Sequence, residues 1–233
     1  MPEAIQPINA QNMRQRIKSY SSSPGSLILA FLVGLAALIT VLTLVFIIGY
    51  ILVKGIPSLS TDLFQLEYNS ENVSMFPSII NTILMTVLSL VIAGPLGIFA
   101  AIYLVEYAKK GNKLVSIVRV TAETLTGIPS IVYGLFGMLF FVTTLKWGFS
   151  MLAGAFTLAI MVLPVIMRTT EEALLAVPDI YREASFGLGA GRLRTIFVVI
   201  LPSAVPGILS GVILSIGRIV GETAALMYTA GTV

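Results

Sequence analysis

The chain has 233 residues, 57% of them apolar and only 11% charged, with a mean hydropathy of +0.98; a soluble domain carries about 25% charged residues, so this composition is that of an integral membrane protein. With no Cys and no His, a disulfide framework, a thiolate metal site and imidazole proton shuttling are excluded, and chemistry by the chain itself is not expected. The surplus of 14 Lys+Arg over 11 Asp+Glu is too small to point to nucleic acid, and its information lies in where the charges fall.

Residues 1–25 are polar, end near SYSSSPGS and read as an N-terminal tail. Residues 26–54 hold LILAFLVGLAALITVLTLVFIIGYILV, an uncharged run long enough at 1.5 Å per residue to exceed a hydrocarbon core of about 30 Å; this is the first span. A core region over 72–233 supplies the others. The second span runs from about Phe76 to Val105, with a kink expected at Gly94-Pro95 because proline removes a backbone donor. The third lies within 117–145, with Gly127 and Pro129 near its start, and the fourth runs from about Phe149 to Met167. The fifth starts near Phe197 and reaches GRIVGETAAL. Gly207, Gly211 and Ser215 follow one another at four-residue spacing on this span, which predicts close helix packing and a central place in the bundle.

Lys and Arg in the gaps set the topology. The tail (Arg14, Arg16, Lys18), the segment after span two (Lys109, Lys110, Lys113, Arg119) and the segment after span four (Arg168, Arg182, Arg192, Arg194) hold eleven, against Lys54 and Lys146 on the other side. The N-terminus is therefore expected in the cytoplasm, and the loop carrying Asp62, Glu67 and Glu71 outside it. Five spans from an inside start leave the C-terminus outside, where the sequence stops at YTAGTV without a polar ending; the core reads as incomplete there.

Charges inside or beside the spans require a reason, because an ionisable group at the bilayer centre costs about 2.5–3.5 kcal/mol on insertion scales. Arg218 and Glu222 stand at i, i+4 spacing and are expected to pair, either as a structural ion pair or as a guanidinium fork for an oxyanion with a carboxylate holding it between turnovers. Arg119 and Glu123 repeat that spacing and are expected to pair with one another. Arg168 reads as a topology anchor at the end of span four that can also line an exit path.

Between spans four and five, Pro178-Asp179 can start a short helix, with Asp179 as a capping carboxylate and Gly187 and Gly189 as its end. Ile180, Tyr181 and Phe186 would give it an apolar face, and Ala184 and Ser185 would let a partner approach closely; an ordinary interfacial amphipathic helix has the same residue types. GLGAG at 187–191 follows no strand and lacks the third glycine of a dinucleotide fingerprint, and no G-x-x-x-x-G-K-[ST] occurs.

Glu183-Ala184-Ser185, Gly189 six residues after the Glu, then Val199, Leu201 and Pro202 follow the E-A-A, G, I-x-L-P spacing of ABC importer permeases, with Ser185 in place of Ala and Val199 in place of Ile. The chain resembles that family here. GIPSIVYGLFGM and LPSAVPGILSGVILSIGRIVGETAAL narrow the resemblance to phosphate ABC transporter permeases of the PstA type rather than the sister PstC type.

The resemblance implies an all-α, MetI-like polytopic bundle, usually of six spans, in a bacterial or archaeal plasma membrane, with inorganic phosphate as cargo. It implies a pathway including Arg218, Glu222, Thr223 and Arg168, and an ATPase-coupling loop including Asp179, Tyr181, Glu183, Ala184, Ser185, Gly189, Leu201 and Pro202. The implied partners are a PstC-type permease, two PstB-type ATPases that bind ATP and Mg, and a PstS-type extracytoplasmic binding protein; this chain would bind no cofactor or metal and would not be an enzyme. Permeases for molybdate, sulfate or phosphonate are the alternative within the class. An ion-coupled secondary transporter is the rival outside it, although two inverted halves are not evident.

Overall fold

The computed structural model describes residues 24–66, 68–69, 74–109 and 111–231. Arg14, Arg16, Lys18, Glu67, Glu71, Lys110 and nearly all of the expected tail lie outside these residues. The chain divides into two compact units between Ser74 and Met75.

In the first unit, α1 (Pro24–Gly55) is followed by short 3-10 turns at Ile56–Ser58 and Thr61–Phe64. Its 32 residues span about 48 Å and are apolar on every face, the pattern of a helix bathed in hydrocarbon rather than one with a core side. Ser74 is buried and donates from Oγ to the carbonyls of Leu63 and Gln65, which closes the loop after α1.

The second unit begins with α2 (Phe76–Ile102), which continues without interruption through Pro95 and widens into a π turn at Tyr103–Tyr107. The segment after it forms α3 (Lys113–Thr126) and α4 (Ser130–Gly137), the latter extended by a second π stretch, Met138–Thr144. The third span of the sequence reading is thus two helices bent by 102°. Pro129 explains the break: it disfavours helical geometry at Ile128 and offers no amide to continue the ladder. Tyr133 bridges the break, its hydroxyl donating to the Leu125 carbonyl at 2.7 Å, an acceptor that it shares with the Ile128 amide.

Helix α5 (Met151–Leu175) is capped by Ser150, whose Oγ accepts the Ala153 amide. It continues past Met167 through Arg168, Glu171 and Glu172, so the charged residues expected to leave the span form its last two turns. A short helix, α6 (Asp179–Gly187), follows; then α7 (Arg192–Thr195), a third π turn (Ile196–Ile200) and α8 (Leu201–Val220) stack into one span from Arg192 to Val220. The last described helix is α9 (Ala224–Thr229). Four stretches are long and apolar enough to cross a membrane, and the bent pair makes a fifth if counted as one span.

The centre of this unit is α5 rather than the span ending in α8. Of the most apolar stretch of α5, 61% is buried, against 28% for Arg192–Val220. The small residues expected to make α8 central instead let it lie against α5: a Cβ at Gly207 would stand 2.6 Å from that of Ala173, and one at Gly211 would overlap the Thr169 hydroxyl. Helix α2 packs on α5 in the same way, Gly97 against Ile166, and Ser89 donates across to the Ala155 carbonyl at 3.1 Å. Leu158, Met161, Val162 and Ile166 of α5 fill one core, joined by Met85 and Ala93 from α2 and Ile219 from α8. A second core near the start of α7 joins Leu174, Ile196, Ile200 and Ala204.

Candidate functional site

Two parts of the second unit gather the polar residues that the sequence singled out. The first is a cavity of about 730 Å3 between α3, α5 and α8, lined by Thr126, Arg168, Thr169, Glu172 and Arg218 together with apolar side chains that include Val165 and Ile213. The antiparallel packing of α5 and α8 sets this arrangement, bringing Arg168 near one end of the cavity wall and Arg218 near the other.

The two arginines differ in occupation. Arg168 is half-exposed and paired twice, its Nη1 with Glu123 Oε1 and its Nε with Glu172 Oε1, both at 3.2 Å. Half-buried Arg218 has no ion pair or hydrogen bond among the described residues. The expected Arg218–Glu222 pair does not form. Helix α8 stops at Val220, so the i, i+4 geometry does not extend across Gly221, and Glu222 turns the other way: its Oε1 accepts the Ala225 amide at 3.0 Å in the first turn of α9. Thr223 is exposed at the foot of α9 and makes no side-chain cap bond.

The expected Arg119–Glu123 pair is also replaced. Arg119 Nη2 lies 2.5 Å from Glu171 Oε1 on α5, a carboxylate whose side chain is only 10% exposed, and Glu123 serves Arg168. Burying Glu171 is what makes Arg119 the better partner, since an unpaired buried charge is far costlier than an exposed one.

The second polar part centres on α6. Arg182 is 15% exposed and its fork is filled: Nε and Nη2 donate to Glu106 Oε1 at 3.1 and 2.7 Å, Nη2 to the Leu174 carbonyl at 3.0 Å, and Nη1 to the Val177 carbonyl at 2.9 Å and Asp179 Oδ1 at 3.1 Å. Asp179, expected as a backbone cap, spends its carboxylate on Arg182 instead. One guanidinium thereby ties α6 to the end of α2 and the end of α5. Sequence reasoning missed this residue as more than a topology charge, because its partner Glu106 lies 76 positions away.

Ser185 faces inward, 9% exposed, with its hydroxyl 2.8 Å from Thr195 Oγ1 of α7; its small size serves packing within the chain. Ala184 and Glu183 are exposed, as are Ile180, Tyr181 and Phe186. Helix α6 ends after Gly187, and Gly189 takes φ +81°, which lets the Ala190 amide reach back to the Ser185 carbonyl at 3.1 Å. Leu201 and Pro202 form the start of α8 directly after the π turn Ile196–Ile200, and the amide that Pro202 lacks falls where π hydrogen bonding gives way to α. Among the described residues no group of three acidic side chains is placed to hold a metal.

Residues 93–233 match the family of binding-protein-dependent transport system inner membrane components. A probable ABC transporter permease protein, YqgI of Bacillus subtilis, is 37% identical over 85% of this chain and 68% of its own. The phosphate transport system permease protein PstA of Pasteurella multocida is 42% identical over 80% of this chain and 67% of its own, and that of Haemophilus influenzae 34% over 93% and 77%. Among solved structures, an inward-facing crystal form of the MetNI methionine ABC transporter superposes with a TM-score of 0.52 at 24% identity over 63% of this chain and 68% of the other, a likeness of fold.

Proposed function

The chain belongs to the family of binding-protein-dependent transport system inner membrane components, and from that premise we propose that it is the transmembrane permease subunit of an ATP-driven importer carrying inorganic phosphate into the cell. The observation that carries the reading is the Arg218 fork, unpaired among the described residues, on a cavity that it shares with Arg168. A planar guanidinium matches two phosphate oxygens at once, and an arginine already neutralised by a carboxylate would have to be stripped first. The PstA relatives support phosphate as the cargo.

In this reading Arg218 takes the anion from the outer side, and the anion passes along the cavity toward Arg168, where Glu123 and Glu172 compete for the second guanidinium and keep the residence short. The N-terminus is cytoplasmic, and so is α6. A separate ATPase would dock on the exposed Glu183, Ala184 and Tyr181, a second permease subunit would complete the pathway, and an extracytoplasmic binding protein would deliver phosphate. Arg182 would transmit displacement of α6 to α2 and α5 through Glu106 and the Leu174 carbonyl.

The test is uptake into vesicles holding the assembled importer. Uptake is expected to need ATP hydrolysis and to persist with ion gradients collapsed. Arg218→Gln should abolish it, and Arg218→Lys, which keeps charge but loses the fork, should lower it roughly tenfold or more. Wild-type uptake by Arg218→Gln in a correctly assembled complex would overturn the role of Arg218, and preference for sulfate or molybdate over phosphate would overturn the cargo.

A further inference from the structure

A second cavity, of about 700 Å3, lies where α2 ends, α3 begins and α5 ends. Lys109, Lys113 and Arg119 line it with Asn112 and Ser116, and among the described residues none of its lining is acidic. Neither lysine forms an ion pair among the described residues, and Arg119 spends only Nη2 on Glu171. Its floor is apolar, with Leu104, Val105 and Leu175.

The setting is that of a membrane–water boundary. The cavity follows directly on a span-length helix, Phe76–Tyr107, whose last turn carries exposed Tyr103 and Tyr107, stacked at 6.5 Å. Helix α3 is two-sided: Val115 and Ala122 are buried, while Leu114, Ile117 and Val118 form an exposed apolar stripe at i, i+3, i+4. A helix with cations at its start and an outward apolar stripe lies where headgroups meet acyl chains.

We propose that this cavity holds the phosphate-bearing headgroup of an anionic phospholipid, with Lys109, Lys113 and the free edge of Arg119 around the phosphate and Leu104 and Val105 against the start of the acyl chains. The shared chemistry, a phosphate oxyanion among three cations, would also suit free inorganic phosphate. The apolar floor favours the lipid, because a small hydrated anion gains nothing from those leucine and valine surfaces.

The full chain is placed in nanodiscs of equal phosphatidylglycerol and phosphatidylcholine, and the retained lipid is counted by native mass spectrometry. The wild type should hold phosphatidylglycerol selectively. Lys109→Gln/Lys113→Gln should lower that selectivity roughly 30-fold, since each basic group near an anionic headgroup contributes about one step of this size's square root. Lys109→Arg/Lys113→Arg should keep it, as should Lys54→Gln/Lys146→Gln, which removes as much charge elsewhere. Equal selectivity in the wild type and Lys109→Gln/Lys113→Gln would overturn the proposal and leave these lysines as contacts for a soluble partner. Displacement of the retained lipid by millimolar inorganic phosphate, in the wild type but not in Lys109→Gln/Lys113→Gln, would overturn the lipid in favour of the free anion.

Discussion

Arg182 and Arg218 carry the same side chain at two places in one bundle, and their surroundings are opposites. Arg182 gives five hydrogen bonds to two carboxylates and two backbone carbonyls; Arg218 gives none among the described residues and opens on a cavity. A guanidinium whose donors are all taken fastens elements together and has nothing left for a ligand. One with an empty fork holds nothing in the fold and is free to bind. Donor occupation, not the mere presence of a charge in an apolar chain, separates the structural arginine from the candidate for transport.

The comparison makes graded demands on stability. Arg182→Met should be the most damaging change, about 3–5 kcal/mol, because it strands the Glu106 carboxylate, 9% exposed, without its partner. Thermal unfolding in detergent measures this, and Arg182→Met/Glu106→Gln should recover part of the loss. An unchanged melting temperature for Arg182→Met would break the contrast at its strong end. Glu222→Ala should cost about 1 kcal/mol, the usual value of a side-chain bond to an amide in a first helical turn. It should do so equally with Arg218 or Gln at 218, since the two residues are not partners; a double-mutant cycle with non-zero coupling would restore the pair.

Arg168→Gln should shift melting less than Glu222→Ala, its two partners being exposed and their ion pairs weak in water. Arg218→Gln should shift it least, within about 0.5 kcal/mol, while removing uptake. Loss of fold in Arg218→Gln would mean that its fork is filled by something that stabilises the bundle, and the contrast with Arg182 would collapse.

What was legible in the sequence follows from range. Hydropathy runs located the spans, because burial in hydrocarbon acts on each residue separately, and the Gly207–Gly211 spacing foretold the tight seam, because both residues lie on one helix. Pairings failed where they depended on where a helix stops or on a distant partner. The i, i+4 spacing to Arg218 places Glu222 on a continued α8, although Gly221 before Glu222-Thr223-Ala224-Ala225 is also the pattern of one helix ending and another starting. Arg119 chose Glu171 across 52 positions, and Arg182 chose Glu106 across 76, choices set by packing of α5 against its neighbours. From sequence, span four ends at Met167 because Arg168, Glu171 and Glu172 look like loop, whereas Thr170, Glu171 and Leu174 form a buried stripe continuous with the core.

The seam between α5 and α8 also bears on leakage. At Gly207 and Gly211 there is not room for a methyl group between the two helices, and a site without room for a methyl group cannot hold a file of water. Protons and small ions therefore find no wire between Gly207 and Gly211 in this arrangement of the two helices. The insulation is steric and needs no charge, so it is unaffected by pH or salt, and a bulkier residue at Gly211 would threaten the membrane's resistance as well as the fold by prising the two helices apart.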